Sequence, residues 1–148
     1  MGNTIQRLQS PTGSLMLAIF TVLLPFAPNV LAQEIQWLRS AEQAAAQAAQ
    51  TGKPILVYVR SANCHYCDLM QTNVWQDPAT ADTVMRDFVP LKLTREDNPE
   101  AVKVLHIKGF PSTVIFAPDR SYVDRLDGYL DAPQFRAAVG RMHSAIPR

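Results

Sequence analysis

Cysteine is nearly absent from this chain: Cys64 and Cys67 are the only two among 148 residues. A closed structural zinc site usually takes four ligands, and no second cysteine pair exists to complete one. His106 and His143 lie far along the chain without finger-like spacing. An excess of charge of one sign is also lacking. From Gln33 onward, thirteen basic side chains face thirteen acidic ones. That balance gives no electrostatic reason to expect nucleic acid or a strongly charged surface as partner. Internal repeats are missing, and the only biased stretch is a short alanine–glutamine run within Ala41 to Thr51.

Long apolar runs are scarce as well. The longest, Ser14 to Ala27, is SLMLAIFTVLLPFA. It is short against the roughly 20 residues of a membrane span, and Pro25 and Pro28 interrupt its end. A polar stretch from Met1 to Gly13 precedes it, with Arg7 as its one basic side chain. Asn29-Val30-Leu31-Ala32 follows, with small or modest side chains where a signal peptidase reads. Residues 1–32 are therefore expected to be a signal peptide cleaved after Ala32, and export to the periplasm follows from that. A retained membrane anchor and an uncleaved cytoplasmic arm are the alternatives. Cleavage leaves residues 33–148, one domain of 116 residues, long enough for a single core. A monomer without a cofactor is expected.

What is present is Cys64-His65-Tyr66-Cys67, placed after the apolar run Pro54-Ile55-Leu56-Val57-Tyr58-Val59 and before an expected helix. A pair set where a buried strand meets a helix N-terminus can cycle between dithiol and disulfide, because the helix end stabilises a thiolate. The motif alone leaves a redox pair, a metal site and an inert structural disulfide open. Its context favours the first.

The remaining pattern is α/β. Ala41 to Thr51 reads as a helix stopped near Gly52 and Pro54, with Trp37 and Leu38 packing against the body. Ile55 to Val59 reads as a strand covered on both faces. One helix is expected from Cys64 to about Trp75, with Trp75 in the core. A break at Asp77-Pro78 and a second helical piece over Ala79 to Arg86 follow. Phe88 to Leu93 reads as a strand in which Pro90 argues for its start or an edge. Asn98 to Leu105 reads as a helix, Ser112 to Phe116 as a strand, and Pro118-Asp119-Arg120 as a turn into Tyr122 to Leu126. Asp131-Ala132-Pro133 caps and starts a last helix, with Phe135, Val139 and Met142 at core spacing. The sum is a mixed central sheet flanked by helices.

Ile55-Leu56-Val57, the CxxC pair, Lys92-Leu93, Asn98-Pro99 and Gly109-Phe110-Pro111-Ser112-Thr113 together carry a likeness. Over about Lys53 to Arg141 the chain resembles the thioredoxin-like superfamily, especially its small exported thiol-disulfide oxidoreductases. The CxxC motif is weakly specific alone; a later Gly-x-Pro before a strand makes it strong.

The resemblance implies a thioredoxin-like fold. It implies that Pro111 is cis and faces the disulfide, leaving the Phe110 backbone free to grip an extended peptide. It makes Cys64 the exposed nucleophile and Cys67 the buried resolving thiol. His65 and Tyr66, between them, would tune the potential or shape the surface a partner meets. Lys92 matches a family lysine on the central strand and is a candidate for proton handling. Two departures stand out. Asn63 replaces the tryptophan common before the first cysteine. Tyr58 replaces a buried acid six residues before it, so proton transfer must use another group, with Asp68, Glu96 or water as further candidates.

The resulting expectation is an exported thiol-disulfide oxidoreductase acting on protein cysteines in the reducing direction. Its partners would be cysteine-containing exported proteins and a redox protein that recycles the pair. Two other classes stay open: a peptide-binding or chaperone-like module on the same fold, and a metal-handling module using Cys64, Cys67 and His65.

Overall fold

The computed structural model describes residues 1–2 and 33–147. The expected signal peptide, all but its first two residues, lies outside the described residues. The chain divides into two units, Met1–Val30 and Leu31–Arg148, and the architecture below is that of the second.

Elements follow in the order α1 (Ala41–Thr51), β1 (Ile55–Arg60), α2 (His65–Met70), α3 (Pro78–Asp87), β2 (Val89–Thr94), α4 (Pro99–Val104), β3 (Ser112–Phe116), β4 (Tyr122–Asp127) and α5 (Ala132–Ser144). The four strands form one sheet in the order β2-β1-β3-β4. β1 runs parallel to β2 and antiparallel to β3, and β3 is antiparallel to β4. The expected mixed sheet with flanking helices is present.

Alternation along β1 explains why its residues are nearly all apolar. Leu56 and Tyr58 point into a core with Met70, Val74, Trp75, Val84, Phe88, Phe135 and Val139, contributed by α2 and the turn that follows it, by α3 and its C-cap, and by α5. Ile55, Val57 and Val59 point the other way, toward Ala44 and Ala48 of α1 and the α4 side. A strand with helices over both faces cannot carry a polar side. Burying each of these aliphatic side chains stabilises the fold by about 1.5–3 kcal/mol before entropy is counted.

Caps set the boundaries. Ser40 accepts from the Gln43 N–H at the start of α1, and Gly52 (φ 68°) ends it in the left-handed region. Asp77 accepts from the Thr80 N–H at 2.8 Å and starts α3, one residue earlier than the sequence predicts. Arg136 of α5 also bonds Asp77, tying the two helices together. Asp131 and Gln134 form a capping box at α5.

Pro90 lies within β2, an edge strand, and the ladder shows why it fits. Alternate residues of β2 face outward: the Pro90 carbonyl accepts from the Leu38 N–H (2.9 Å), and the Lys92 N–H donates to the Leu38 carbonyl (3.0 Å). The N–H that proline lacks belongs to this outer side, so no bond to β1 is lost. Leu38 thereby covers part of the edge, and Trp37 packs against the core.

One element departs from expectation. The helix from the active segment is not a single α-helix. After Met70 it continues as a π-helical turn, Gln71–Trp75. The extra residue of a π turn shifts the phase of the side chains. Val74 and Trp75, adjacent in sequence, are thus both buried. Among the described residues no helix is long and apolar enough to cross a membrane.

Candidate active site

β1 is central and buried, so its C-terminal end is a fixed point from which the chain can launch a short loop, Ser61 to Cys64. Cys64 is the N-cap of α2, with extended backbone (φ −139°, ψ 96°). Its sulfur accepts from the Cys67 N–H at 3.1 Å, the place a serine or aspartate oxygen usually takes. The Cys64 carbonyl accepts the N–H groups of Cys67 and Asp68. Cys64 and Cys67 form a disulfide with Cα atoms 5.2 Å apart.

The two sulfurs have unequal surroundings. Cys64 is partly exposed, whereas Cys67 is fully buried, at 0% exposure. In the dithiol form the N–H at the helix start favours a Cys64 thiolate, and burial disfavours one at Cys67. The arrangement can therefore present one nucleophile to solvent and keep one thiol in reserve.

Beneath the pair lies an aromatic nest. Tyr58, also 0% exposed, donates its hydroxyl to the Cys67 carbonyl at 3.4 Å. Its ring lies 4.9 Å from Trp75 and 5.8 Å from Trp37, and those two indoles meet edge-on at 5.0 Å. Burial raises the Tyr58 phenol above its ordinary range, and the neighbouring Trp75 indole offsets only part of that rise. The phenol thus stays a neutral donor where the resemblance expects an acid. The Trp75 Nε1–H is buried without a hydrogen-bond partner.

Lys92 reaches the same nest from β2. Its Nζ donates to Gln71 Oε1 at 3.0 Å and lies 5.8 Å from the Tyr58 ring and 5.9 Å from that of Trp37. Burial lowers its pKa, and the charges of Arg60 and Arg39 lower it further. A cavity of about 370 Å³, lined by Lys92, Gln71, Trp37, Trp75 and residues of the 33–35 segment, opens beside it.

Asp68 stands elsewhere. Its side chain is 67% exposed and accepts from Arg60 at 3.0 Å, and no hydrogen bond joins it to either cysteine among the described residues. Glu96 is likewise exposed and paired with Arg95. His65 and Tyr66 are exposed at the first turn of α2.

The Phe110–Pro111 peptide is cis, as the resemblance implies. Pro111 is buried and Phe110 partly so. Among the described residues no protein group hydrogen-bonds the Phe110 N–H or carbonyl. Arg95 lies over the Phe110 ring at 5.5 Å. The Pro111 carbonyl accepts from Gly128 (2.8 Å), in the loop after β4.

Two residues here escape a reading of the sequence alone. Gln71, which holds Lys92, is one helical turn after Cys67. Tyr129 follows Gly128 directly, an aromatic just past a turn glycine at a strand end. Trp37, expected to pack against the body, does so by closing the nest from the segment before α1.

A mixed sheet between helices, with a CxxC disulfide opening α2 and a cis proline opening β3, places the chain among thioredoxin-like disulfide oxidoreductase folds. The solved structure of a "DsbH Oxidoreductase" superposes with a TM-score of 0.71 at 18% identity, over 84% of this chain and 94% of that one. Residues 23–124 match the family described as "Thioredox_DsbH: Protein of unknown function, DUF255", and the chain belongs to that family.

Curated relatives share only part of themselves with it. The "Uncharacterized protein B0495.5" of Caenorhabditis elegans is 29% identical over 57% of this chain and 13% of its own length. "Spermatogenesis-associated protein 20" of Homo sapiens is 30% identical over 47% of this chain and 9% of its own. The chain thus matches no more than 13% of the length of these relatives.

Proposed function

We propose that the chain is an exported oxidoreductase that reduces disulfides of partner proteins through Cys64 and Cys67. The observation that carries the exchange is the asymmetry of the pair: a partly exposed sulfur held by a helix-start N–H, bonded to a fully buried one. Export rests on the leader-like residues 1–32 and their expected cleavage after Ala32.

In the dithiol state the Cys64 thiolate attacks a substrate sulfur. A Cys64–substrate disulfide forms and one substrate thiolate leaves. Cys67 then gives up its proton and attacks the Cys64 sulfur. The Cys64–Cys67 bond closes and the second substrate thiolate departs. Two electrons pass to the substrate, so a reductant of dithiol class must recharge the pair. Lys92 is the acceptor of the Cys67 proton: its lowered pKa enlarges the neutral fraction, and the adjoining cavity gives water access. Asp68, held outward by Arg60, is the weaker candidate. Phe110, with its backbone unpaired, and Pro111 receive the extended substrate, and His65 and Tyr66 tune the pair from its exposed side.

Trapping tests the exchange itself. Cys67→Ser should accumulate covalent adducts with partner proteins that dithiothreitol releases, and Cys64→Ser should form none. A Cys67→Ser protein that stays free of adducts defeats the reading. Direction is tested by the reduction potential of the pair. A value near that of thioredoxin, about −270 mV, supports reduction, and one near the oxidising extreme of about −120 mV reverses it.

A further inference from the structure

The exposed side of the disulfide carries a row of rings. Tyr66 is 57% exposed. Its ring centroid lies 5.6 Å from His65, and 6.4 Å from Tyr129 with the planes 33° apart. Tyr129 comes from the loop between β4 and α5, more than sixty residues along the chain.

That loop is fixed in place rather than draped there. Gly128 adopts φ 87°, a conformation L side chains rarely take. Its N–H donates to the Pro111 carbonyl at 2.8 Å. One residue earlier, Asp127 Oδ1 lies 2.9 Å from the Ser112 hydroxyl, itself 2.9 Å from the Gly109 carbonyl. On the other side, Asn73 Nδ2 donates to the Tyr129 hydroxyl at 3.4 Å. The segment after the cysteines, the cis-proline loop and the β4–α5 loop are therefore tied into one surface.

Tyr66 is not a core residue, and leaving its ring exposed forgoes the gain of burial; Tyr129 beside it is half-buried, packed against the edge of the core. Tyrosine offers large, stiff contact area at low entropic cost, and it is enriched where partners dock. Tyr66 follows Cys64 by two residues in the first turn of α2, and the Phe110 backbone, without a protein partner among the described residues, supplies bonds suited to an extended segment. In an extended chain, side chains two positions apart face the same way, separated by about 6.6–6.8 Å. A substrate cysteine turned toward Cys64 thus turns its second neighbours toward the same protein surface.

We propose that Tyr66 and Tyr129 form an aromatic ledge that selects substrates carrying an aromatic or large aliphatic side chain two positions from the reactive cysteine. The proposal rests on the reading that Cys64 exchanges with protein cysteines. Tyr129 is a specificity-determining residue in it and takes no part in the electron transfer.

The test uses the reduced protein and glutathionylated peptides that differ only in phenylalanine or glycine two positions from the cysteine, placed on either side. Each turnover oxidises the Cys64–Cys67 dithiol and releases peptide thiol and glutathione, followed by chromatography. The readout is the ratio of the single-turnover second-order rate constants for the two peptides, so a general change in the pair's reactivity cancels. The native protein should favour phenylalanine on at least one side by roughly tenfold, the scale of one aromatic contact. Tyr129→Ala should bring the ratio below about twofold, and Tyr129→Phe should retain most of it. Equal rates for both peptides with the native protein, or a full preference in Tyr129→Ala, overturn the ledge. Exchange with neither peptide, by protein whose pair is reduced, overturns the underlying reading instead.

Discussion

The disulfide separates two groups of aromatic rings that differ in almost every physical respect. Below it, Trp75 packs edge to face with Trp37 and with the fully buried Tyr58, and the Lys92 ammonium lies against the Trp37 and Tyr58 rings. Beside it, His65 and Tyr66 are exposed, and Tyr129 is half-buried at the edge of the core. The nest touches the buried cysteine and the rim adjoins the exposed one. On the proposed function, stability and proton handling belong to the nest, and partner choice to the rim. Substitutions that move a property from one group to the other break this division.

The largest contrast is in stability. Trp75→Ala removes a ring that contacts Trp37, Tyr58 and Phe135, and should cost about 3–5 kcal/mol in urea unfolding of the oxidised protein. Part of that loss is offset, because the indole N–H is already without a partner. Tyr66→Ala, at the rim, should shift stability by no more than about 0.5 kcal/mol. Comparable losses in the two variants would show that the rim is structural.

A second contrast is in pH dependence. Lys92 has its pKa lowered by burial and by Arg60 and Arg39, so its neutral amine appears at lower pH than in a free lysine. If that amine takes the Cys67 proton, resolution of the mixed disulfide quickens as pH rises through the lowered value. Lys92→Met should remove this rise and slow resolution, while the first attack by Cys64 changes less. Stopped-flow release of a trapped thiol across pH separates the two steps. An unchanged profile for resolution in Lys92→Met assigns the proton to water.

The sequence made one of these regions more legible than the other. Strands and helices were readable because β1 is apolar throughout, and because Gly52 and Pro54 stop one helix, Asp77-Pro78 breaks another and Asp131-Ala132-Pro133 caps and starts the last. Cys64, Cys67 and Pro111 announce themselves by spacing. The nest was readable in pieces, a tyrosine where an acid was expected, Trp75 in the core and Trp37 against the body, but not as three rings that meet. Its filling depends on a π turn that places Val74 and Trp75 inward together, and helical periodicity does not encode such a turn. Lys92 was visible on β2, but its bond to Gln71 was not, since 21 residues separate them. Tyr129 was hidden for the same reason. Its position depends on a hydrogen bond between two loops, from Gly128 to Pro111, and no local pattern records it.

Within the nest, the smallest effect expected lies at the point where it meets the disulfide. Tyr58→Phe deletes the hydroxyl that donates to the Cys67 carbonyl and leaves the ring contacts in place. That carbonyl also accepts from the Gln71 N–H, so no buried acceptor is stranded. The bond is long, and removing the hydroxyl also relieves the desolvation of a buried polar group. Loss of stability should therefore be about 1 kcal/mol or less, measured by the urea midpoint at constant slope. The phenol is neutral over the working range, because burial raises its pKa. The variant should accordingly leave the shape of the pH profile for resolution intact, in contrast to Lys92→Met. A Tyr58→Phe protein whose profile loses its rise would move the proton from Lys92 to the phenol, and the nest would then act through Tyr58.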